Sequence, residues 1–328
     1  MSSRATASAR ANIALVKYWG KRDRRLNLPA VGSLSMTLSA LTTTTSVSFE
    51  EGLPDDEFTL NDTPVVIDNG CRMRRVLDEV RSQAGFSKRA RVLSRNDFAT
   101  AAGLASSASG FAALALAAAR AAGLDTKLTT LAHLARLGSG SAPRSLLGGI
   151  VALEAGESAD GSDCLPVQLT PEGSWEIELL VVITGSGSKE VGSAEGMELS
   201  RTTSPYYSAW LREAARDLAR GRRAVAARDF GALGRVTEAS CFRMHAVALA
   251  ATPALLYWNG VTVEVIRKVQ ALRRLGLEAY STVDAGPHVK VLVCSRDSAR
   301  LAQELGAVDG VLEVLTARPG PGAWEESE

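Results

Sequence analysis

The 328-residue chain is poor in the residues that build metal centres and disulfide frameworks. It has three histidines, His133, His245 and His288, and four widely spread cysteines, Cys71, Cys164, Cys241 and Cys294. No C-x-x-C pair, H-E-x-x-H motif or Cys/His cluster occurs, which argues against a zinc site and a stapled secreted scaffold. Scattered thiols suit a reducing cytoplasm. An excess of either charge is missing too: 37 basic residues face 36 acidic ones, a formal net charge of +1. A balanced chain has no global field for nucleic acid or an anionic membrane, so any anionic ligand must be held by a local cluster. No apolar run approaches the roughly 18 residues of a spanning helix. The opening stretch MSSRATASARANIALVKYWG lacks the long apolar core of a secretory signal.

What is present is an ordinary globular composition, 46% hydrophobic and 22% charged, at a length that suggests two domains. Strand-like and helix-like segments alternate. ANIALVKYW and LSMTLSALTTTTSVSFE are rich in β-branched residues and read as strands. RMRRVLDEVRSQAG has apolar residues at helical spacing and a glycine stop. GGIVALEAG and WEIELLVVITGSG read as further strands; helices dominate from about Ser200, and LEAYSTVDAG and HVKVLVCS return to strand. We place the domain boundary near Gly185, giving an N-terminal lobe of residues 1–185 and a C-terminal lobe of 186–328. The tail ARPGPGAWEESE reads as loosely docked or disordered.

Four short stretches carry chemistry. AAGLASSASG (101–110) opens a helix with small residues and hydroxyls. A helix start presents free N–H groups and the positive end of the helix dipole, and small side chains let a phosphate approach them. A small-residue start built for tight packing would look the same. GSGSAPRS (138–145) repeats the pattern beside Arg144, whose fork suits a carboxylate or phosphate. KYWGKRDRR (17–25) concentrates cations beside Tyr18 and Trp19. STVDAGPH (281–288) sets Asp284 between a strand and an Ala-Gly-Pro turn.

Together, NIALVKYWGKRD, AAGLASSASG, GSGSAPRS and DAGP resemble the diphosphomevalonate decarboxylases, a branch of the galactokinase, homoserine kinase and mevalonate kinase superfamily. The likeness runs in order through about residues 7–293, including SAEGMELSRTTSPYYSAW and MHAVALAATPALLYWNG. It implies an α+β fold in two lobes, the first like ribosomal-protein S5 domain 2 and the second ferredoxin-like, with the site in the cleft. It also implies ATP-dependent conversion of mevalonate 5-diphosphate to isopentenyl diphosphate through 3-phosphorylation, with Mg²⁺ as cofactor, in a cytoplasmic homodimer.

On that resemblance, Asp284 is the base toward the C3 hydroxyl and Lys17 keeps it ionised; Arg144 pairs with the substrate carboxylate. Gly103, Leu104, Ala105, Ser106, Ser107, Ser109 and Gly110 bind ATP. Tyr18, Lys21, Ser139 and Ser141 hold the substrate, joined by Arg74, one of three arginines (72, 74 and 75) on one helix. The chain departs from the family pattern at Ala99, at Ala30–Ser33, at Pro143 and at His288. A mevalonate 3-kinase or a mevalonate monophosphate decarboxylase stays open, as does a silent nucleotide-binding module. Arg144 and Asp284 together favour decarboxylation, and the basic KYWGKR favours a multiply charged phosphate end.

Overall fold

The computed structural model describes residues 4–68, 70–98, 106–186 and 190–327. The chain opens with β1 (Arg4–Val16), a small ribbon of β2 (Lys21–Asp23) and β3 (Leu28–Pro29), and the long β4 (Ser33–Glu50). There follow β5 (Glu57–Leu60), β6 (Thr63–Pro64), α1 (Arg72–Ala84), β7 (Arg89–Asn96), α2 (Ser106–Ala121) and α3 (Leu128–Gly138). A 3-10 turn at Ala142–Leu146, β8 (Ile150–Leu153) and β9 (Pro166–Thr170) complete this lobe. Its sheet runs β1-β4-β7-β5-β6, with β8 also on β4 and β9 on β8.

Helix α2 lies on β1 and β4. It is apolar nearly all round, as a helix inside a core must be. Ala112, Ala113, Ala115, Ala117, Ala118 and Ala119 are fully buried. The small residues that follow the helix start therefore set a close helix–sheet approach.

The second lobe holds β10 (Ile177–Ile183), α4 (Ser193–Thr203), α5 (Tyr207–Ala226), α6 (Phe230–Leu249) and α7 (Gly260–Arg274). It continues through β11 (Ala279–Val283), β12 (Val289–Cys294), α8 (Ser295–Gly306) and β13 (Glu313–Ala317). Its strands form one antiparallel sheet in the order β11-β12-β10-β13. With α7 and α8 as the two crossovers this is the βαββαβ arrangement of a ferredoxin-like lobe, into which α4–α6 are inserted. The two-lobed α+β fold matches the expectation.

Two boundaries differ. The strand Ile177–Ile183 pairs with β12 and β13, so the break between lobes falls ahead of it and not near Gly185. Its near-continuous burial, which sequence reads the same way in either lobe, is what misplaced it. The tail is not loose. Its β14 (Trp324–Glu325) pairs with β1 and covers that strand's edge. Gly320 donates to the Thr37 carbonyl at 2.8 Å and accepts from Gly149 at 2.9 Å. The tail enters where the β1–β4 register breaks between Arg10 and Asn12, leaving Ser39 N–H to meet the Arg318 carbonyl at 2.7 Å.

At Gly320 an added Cβ would lie 2.2 Å from the Leu38 carbonyl oxygen, which belongs to backbone and cannot turn aside. Gly320→Ala is expected to destabilise the protein by about 1–3 kcal/mol, as overpacking does. Urea unfolding measures it; an unchanged midpoint would contradict the docked tail.

Candidate active site

A cavity of about 660 Å³ lies between the lobes. The end of β1, the loop after it, the start of α2, the α3–3-10 connection, the start of α4 and the turn after β11 all reach it. At its centre Lys17 Nζ is 2.6 Å from Asp284 Oδ1. Lys17 comes from the first lobe and Asp284 from the second. A second lysine, Lys290 on β12, lies 3.5 Å from Asp284 Oδ2. Both lysines are 1% exposed, whereas the Asp284 side chain is 28% exposed and faces the cavity. Burial alone would raise the Asp284 pKa; the Lys17 and Lys290 ammoniums outweigh it and hold the carboxyl well below the usual carboxylate range.

Arg144 stands on the 3-10 turn and is buried. Its Nε and Nη2 donate to Asn12 Oδ1 at 3.1 and 2.9 Å, and Nη1 donates to Ser33 Oγ at 2.7 Å. Of the guanidinium's five N–H groups these occupy three, so among the described residues one on each terminal nitrogen is left to meet an anion. Burial lowers its pKa to about 10, with Asp284 and Tyr18 opposing, so it stays charged at neutral pH. Asn12 reaches it because the β1 register breaks just before that residue, a usual device for re-aiming a side chain near a site.

The serines form a chain. Ser139 Oγ is 3.1 Å from Ser141 Oγ and 3.5 Å from Ser107 Oγ. Ser106, Ser107, Ser139 and Ser141 all line the cavity. Tyr18 lines it as well, and its hydroxyl is buried with no hydrogen-bond partner among the described residues. Gly140 makes room for that hydroxyl, since a Cβ there would sit 2.4 Å from it. Gly138 likewise admits the Phe111 ring. Lys21 donates to Asn27 Oδ1 at 2.6 Å. Burial first, then Arg72, Arg24 and Arg75, lower its pKa to about 8.

Three expected residues sit elsewhere. Arg74 turns away, its Nη2 bonded to Asp55 Oδ2 at 2.7 Å, and Arg72 takes the cavity position. Arg72 is held over the Phe111 ring at 5.2 Å and donates to the Gly138 carbonyl at 3.3 Å. Ser109 is fully buried against Thr43 Oγ1 at 2.7 Å, and helical rotation carries Gly110 outside the cavity lining among the described residues. Gly103, Leu104 and Ala105, and with them Ala99, lie outside the described residues.

Of the other departures, Ser33 holds the Arg144 guanidinium, and the following occupy packing positions. Val31 joins the Trp19 and Trp210 cluster, Gly32 abuts Leu218, Pro143 sits second in the 3-10 turn, and His288 Nδ1 accepts from Thr184 N–H at 3.2 Å. Residues without a sequence expectation are Lys290, Asn12 and Glu195, the last two also lining the cavity. Lys290 had a legible signal: it is the lone charge in the apolar strand VKVLVC.

The two lobes and the cationic cleft between them define the two-lobed small-molecule kinase fold. Family models agree in both halves: a diphosphomevalonate decarboxylase-like N-terminal domain matches residues 9–166 and a mevalonate 5-diphosphate decarboxylase C-terminal domain matches 179–312. The chain belongs to the diphosphomevalonate decarboxylase family. It is 38% identical to the Ganoderma lucidum diphosphomevalonate decarboxylase over 309 residues, 88% of this chain and 77% of that protein. It is similar to the mevalonate diphosphate decarboxylase structure from Staphylococcus aureus, at 36% identity, a TM-score of 0.93 and coverage of 100% and 99% of the two chains. Another similar structure, 37% identical with a TM-score of 0.93 and full coverage of both chains, is in complex with MVAPP, AMPPCP and magnesium.

Lys21 is expected to lose its proton near pH 8, remaining charged below and neutral above. An NMR titration of the lysine ε-carbons, assigned with Lys21→Arg, measures it. A midpoint above 10 would contradict its burial among arginines.

Proposed function

We propose that this protein uses ATP to phosphorylate the C3 hydroxyl of mevalonate 5-diphosphate and then releases phosphate and carbon dioxide, forming isopentenyl diphosphate and ADP. The observation that carries the reading is the Lys17–Asp284 pair at 2.6 Å, in a cleft that also presents Arg144 with two open N–H groups. Phosphate groups fit the buried Tyr18 hydroxyl, unpartnered among the described residues, and the hydroxyls of Ser106 and Ser107 at the start of α2. Those serines would hold the ATP phosphates, and Mg²⁺ would be held with them. When bound, the metal neutralises charge on the phosphoryl oxygens. Lys21, Arg72, Tyr18, Ser139 and Ser141 would hold the substrate's phosphate end and backbone.

Asp284 is ionised at every working pH, and a carboxylate held so low is a weak base. Its first task is to accept the hydrogen bond of the C3 hydroxyl and aim the oxygen at the phosphoryl group. In a loose phosphoryl-transfer transition state the proton passes from the hydroxyl to the Asp284 carboxylate late, once the new O–P bond has acidified it. Departure of the C3 phosphate then draws the electron pair of the bond to the carboxyl carbon into the new C2–C3 double bond. Arg144, fixed by Asn12 and Ser33, holds the carboxylate in line until carbon dioxide leaves. No carbonyl or ring cofactor is needed as electron sink, because the leaving phosphate serves. The four free thiols fit a reducing cytoplasm, and the resemblance carries a homodimer.

Coupled ADP release with carbon dioxide detection, over a panel of mevalonate and its 5-phosphate and 5-diphosphate, tests the reading. ADP without carbon dioxide would make the protein a 3-kinase, and turnover confined to the monophosphate would change the substrate. Asp284→Asn should bind ATP and substrate within about tenfold of wild type, while single-turnover ADP formation falls about 10³-fold or more. Near-normal ADP formation would remove Asp284 from the mechanism. Arg144→Lys keeps the charge and loses the fork, so carbon dioxide release should fall about 10²-fold or more with the fold intact. A nearly active Lys variant would reduce Arg144 to a general cation.

A further inference from the structure

One helix touches the backbone on both sides of the central ion pair. Ser240 Oγ on α6 accepts the Lys17 N–H at 3.0 Å. Next to it, Cys241 Sγ accepts the N–H of Val283 at 3.1 Å. One turn on, His245 Nε2 is 3.1 Å from the Val283 carbonyl. A carbonyl only accepts, so the ring carries its proton on Nε2 and donates. Val283 is the residue before Asp284, and β11 is an edge strand with β12 on one side only. The outward N–H and C=O of an edge strand need partners, and α6 supplies them where a neighbouring strand would. Two residues earlier, Ser281 N–H meets Glu238 Oε1 of the same helix at 3.3 Å.

Ser240, Cys241 and His245 are 0, 1 and 2% exposed, and the His245 ring is held by Trp258 with centroids 4.7 Å apart. Burial pushes the His245 pKa down to about 4, so the ring is a neutral, permanent donor at working pH. Between these residues on the helix, Met244 reaches the cavity itself. Helix α6 thus stands against both lobes at the point where Lys17 and Asp284 meet.

We propose that Ser240, Cys241 and His245 are positioning residues that set the reach and direction of the Lys17–Asp284 pair, with α6 acting as a surrogate strand against the outer edge of β11. Its kinetic consequence rests on the function proposed above. A shift on the order of 1 Å at a catalytic group can cost about 10²-fold in rate. Charged groups facing Asp284 are Lys17 at the end of β1, Lys290 on β12 and Arg144 on the 3-10 turn. Loosening the Lys17 backbone changes only the first of these distances directly, whereas loosening Val283 moves Asp284 against all three.

The test compares His245→Leu, His245→Gln and Ser240→Ala with wild type. The glutamine amide reaches about as far as Nε2 and can donate in its place. His245→Leu and Ser240→Ala should each lower kcat by about 10- to 100-fold, with KM for ATP and substrate within about threefold. His245→Gln should recover to within about fivefold of wild type. A ¹³C NMR titration of the ligand-free protein, with the Asp284 carboxyl assigned by its loss in Asp284→Asn, should show that carboxyl titrating at higher pH in the two disruptive variants. That titration needs no turnover, so an inactive wild type would sink the proposed activity while the titration still decides the positioning role. Unchanged kcat and an unchanged Asp284 titration in the folded variants would overturn the proposal. So would a glutamine variant as impaired as the leucine one at equal Tm. Should His245→Leu fail to fold, Ser240→Ala decides by the same readings.

Discussion

The ion pair between Lys17 and Asp284 is the contact on which the arrangement depends. Taking two charges out of water costs several kcal/mol for each ion unless each finds a partner. Lys17 is 1% exposed and bonds Asp284 and the Ala14 carbonyl, and Lys290 is buried beside the same carboxylate. Because Lys17 follows a strand of one lobe and Asp284 follows a strand of the other, the 2.6 Å contact between the two charges forms only when the lobes are docked. The chemistry and the closure of the cleft are thus set by one interaction. Around it the cavity carries Lys17, Lys21, Arg72 and Arg144 against Asp284 and Glu195, a positive surplus in a chain whose net charge is only +1. An anionic ligand completes that balance, and this is why local clustering outweighs global charge here.

Small residues do a second kind of work. The AAGLASSASG stretch reads as an anion cradle, and the serines at 106 and 107 do face the cleft. The alanines after them have a different purpose, since their small side chains let α2 press closely onto β1 and β4. Glycines 138 and 140 make space for Phe111 and the Tyr18 hydroxyl. Phe111 in turn carries the Arg72 guanidinium over its ring. The glycines at the C-terminal end of α3 thereby make room for Phe111, which carries a cation, and for the phenol of Tyr18.

The motif residues Lys17, Tyr18, Lys21, Ser106, Ser107, Ser139, Ser141, Arg144 and Asp284 converge in the cleft, and their residue types had announced what they could do. The misplacements share one cause. Arg72, Arg74 and Arg75 are equally basic on one helix, and only the rotation of α1 against Phe111 decides which of them points inward. Ser109 has the same hydroxyl as Ser107, yet two residues along a helix is more than half a turn, and its side chain meets Thr43 in the core. Spacing along a chain cannot choose among chemically equal neighbours until a packing partner fixes the phase.

By itself the sequence determined the alternation of elements, the local cation clusters, the helix start with its hydroxyls and the rigid turn after Asp284, because propensity, charge and turn chemistry act over a few residues. Tertiary structure alone decided that Ile177–Ile183 joins the second sheet, that the Pro- and Gly-rich tail closes the first, and that Lys290 and Asn12 belong to the site. Each of these depends on pairing across long stretches of chain. A strand buried on both faces reads alike in any sheet, and a lone lysine becomes part of a site only when folding brings a carboxylate within 3.5 Å of it.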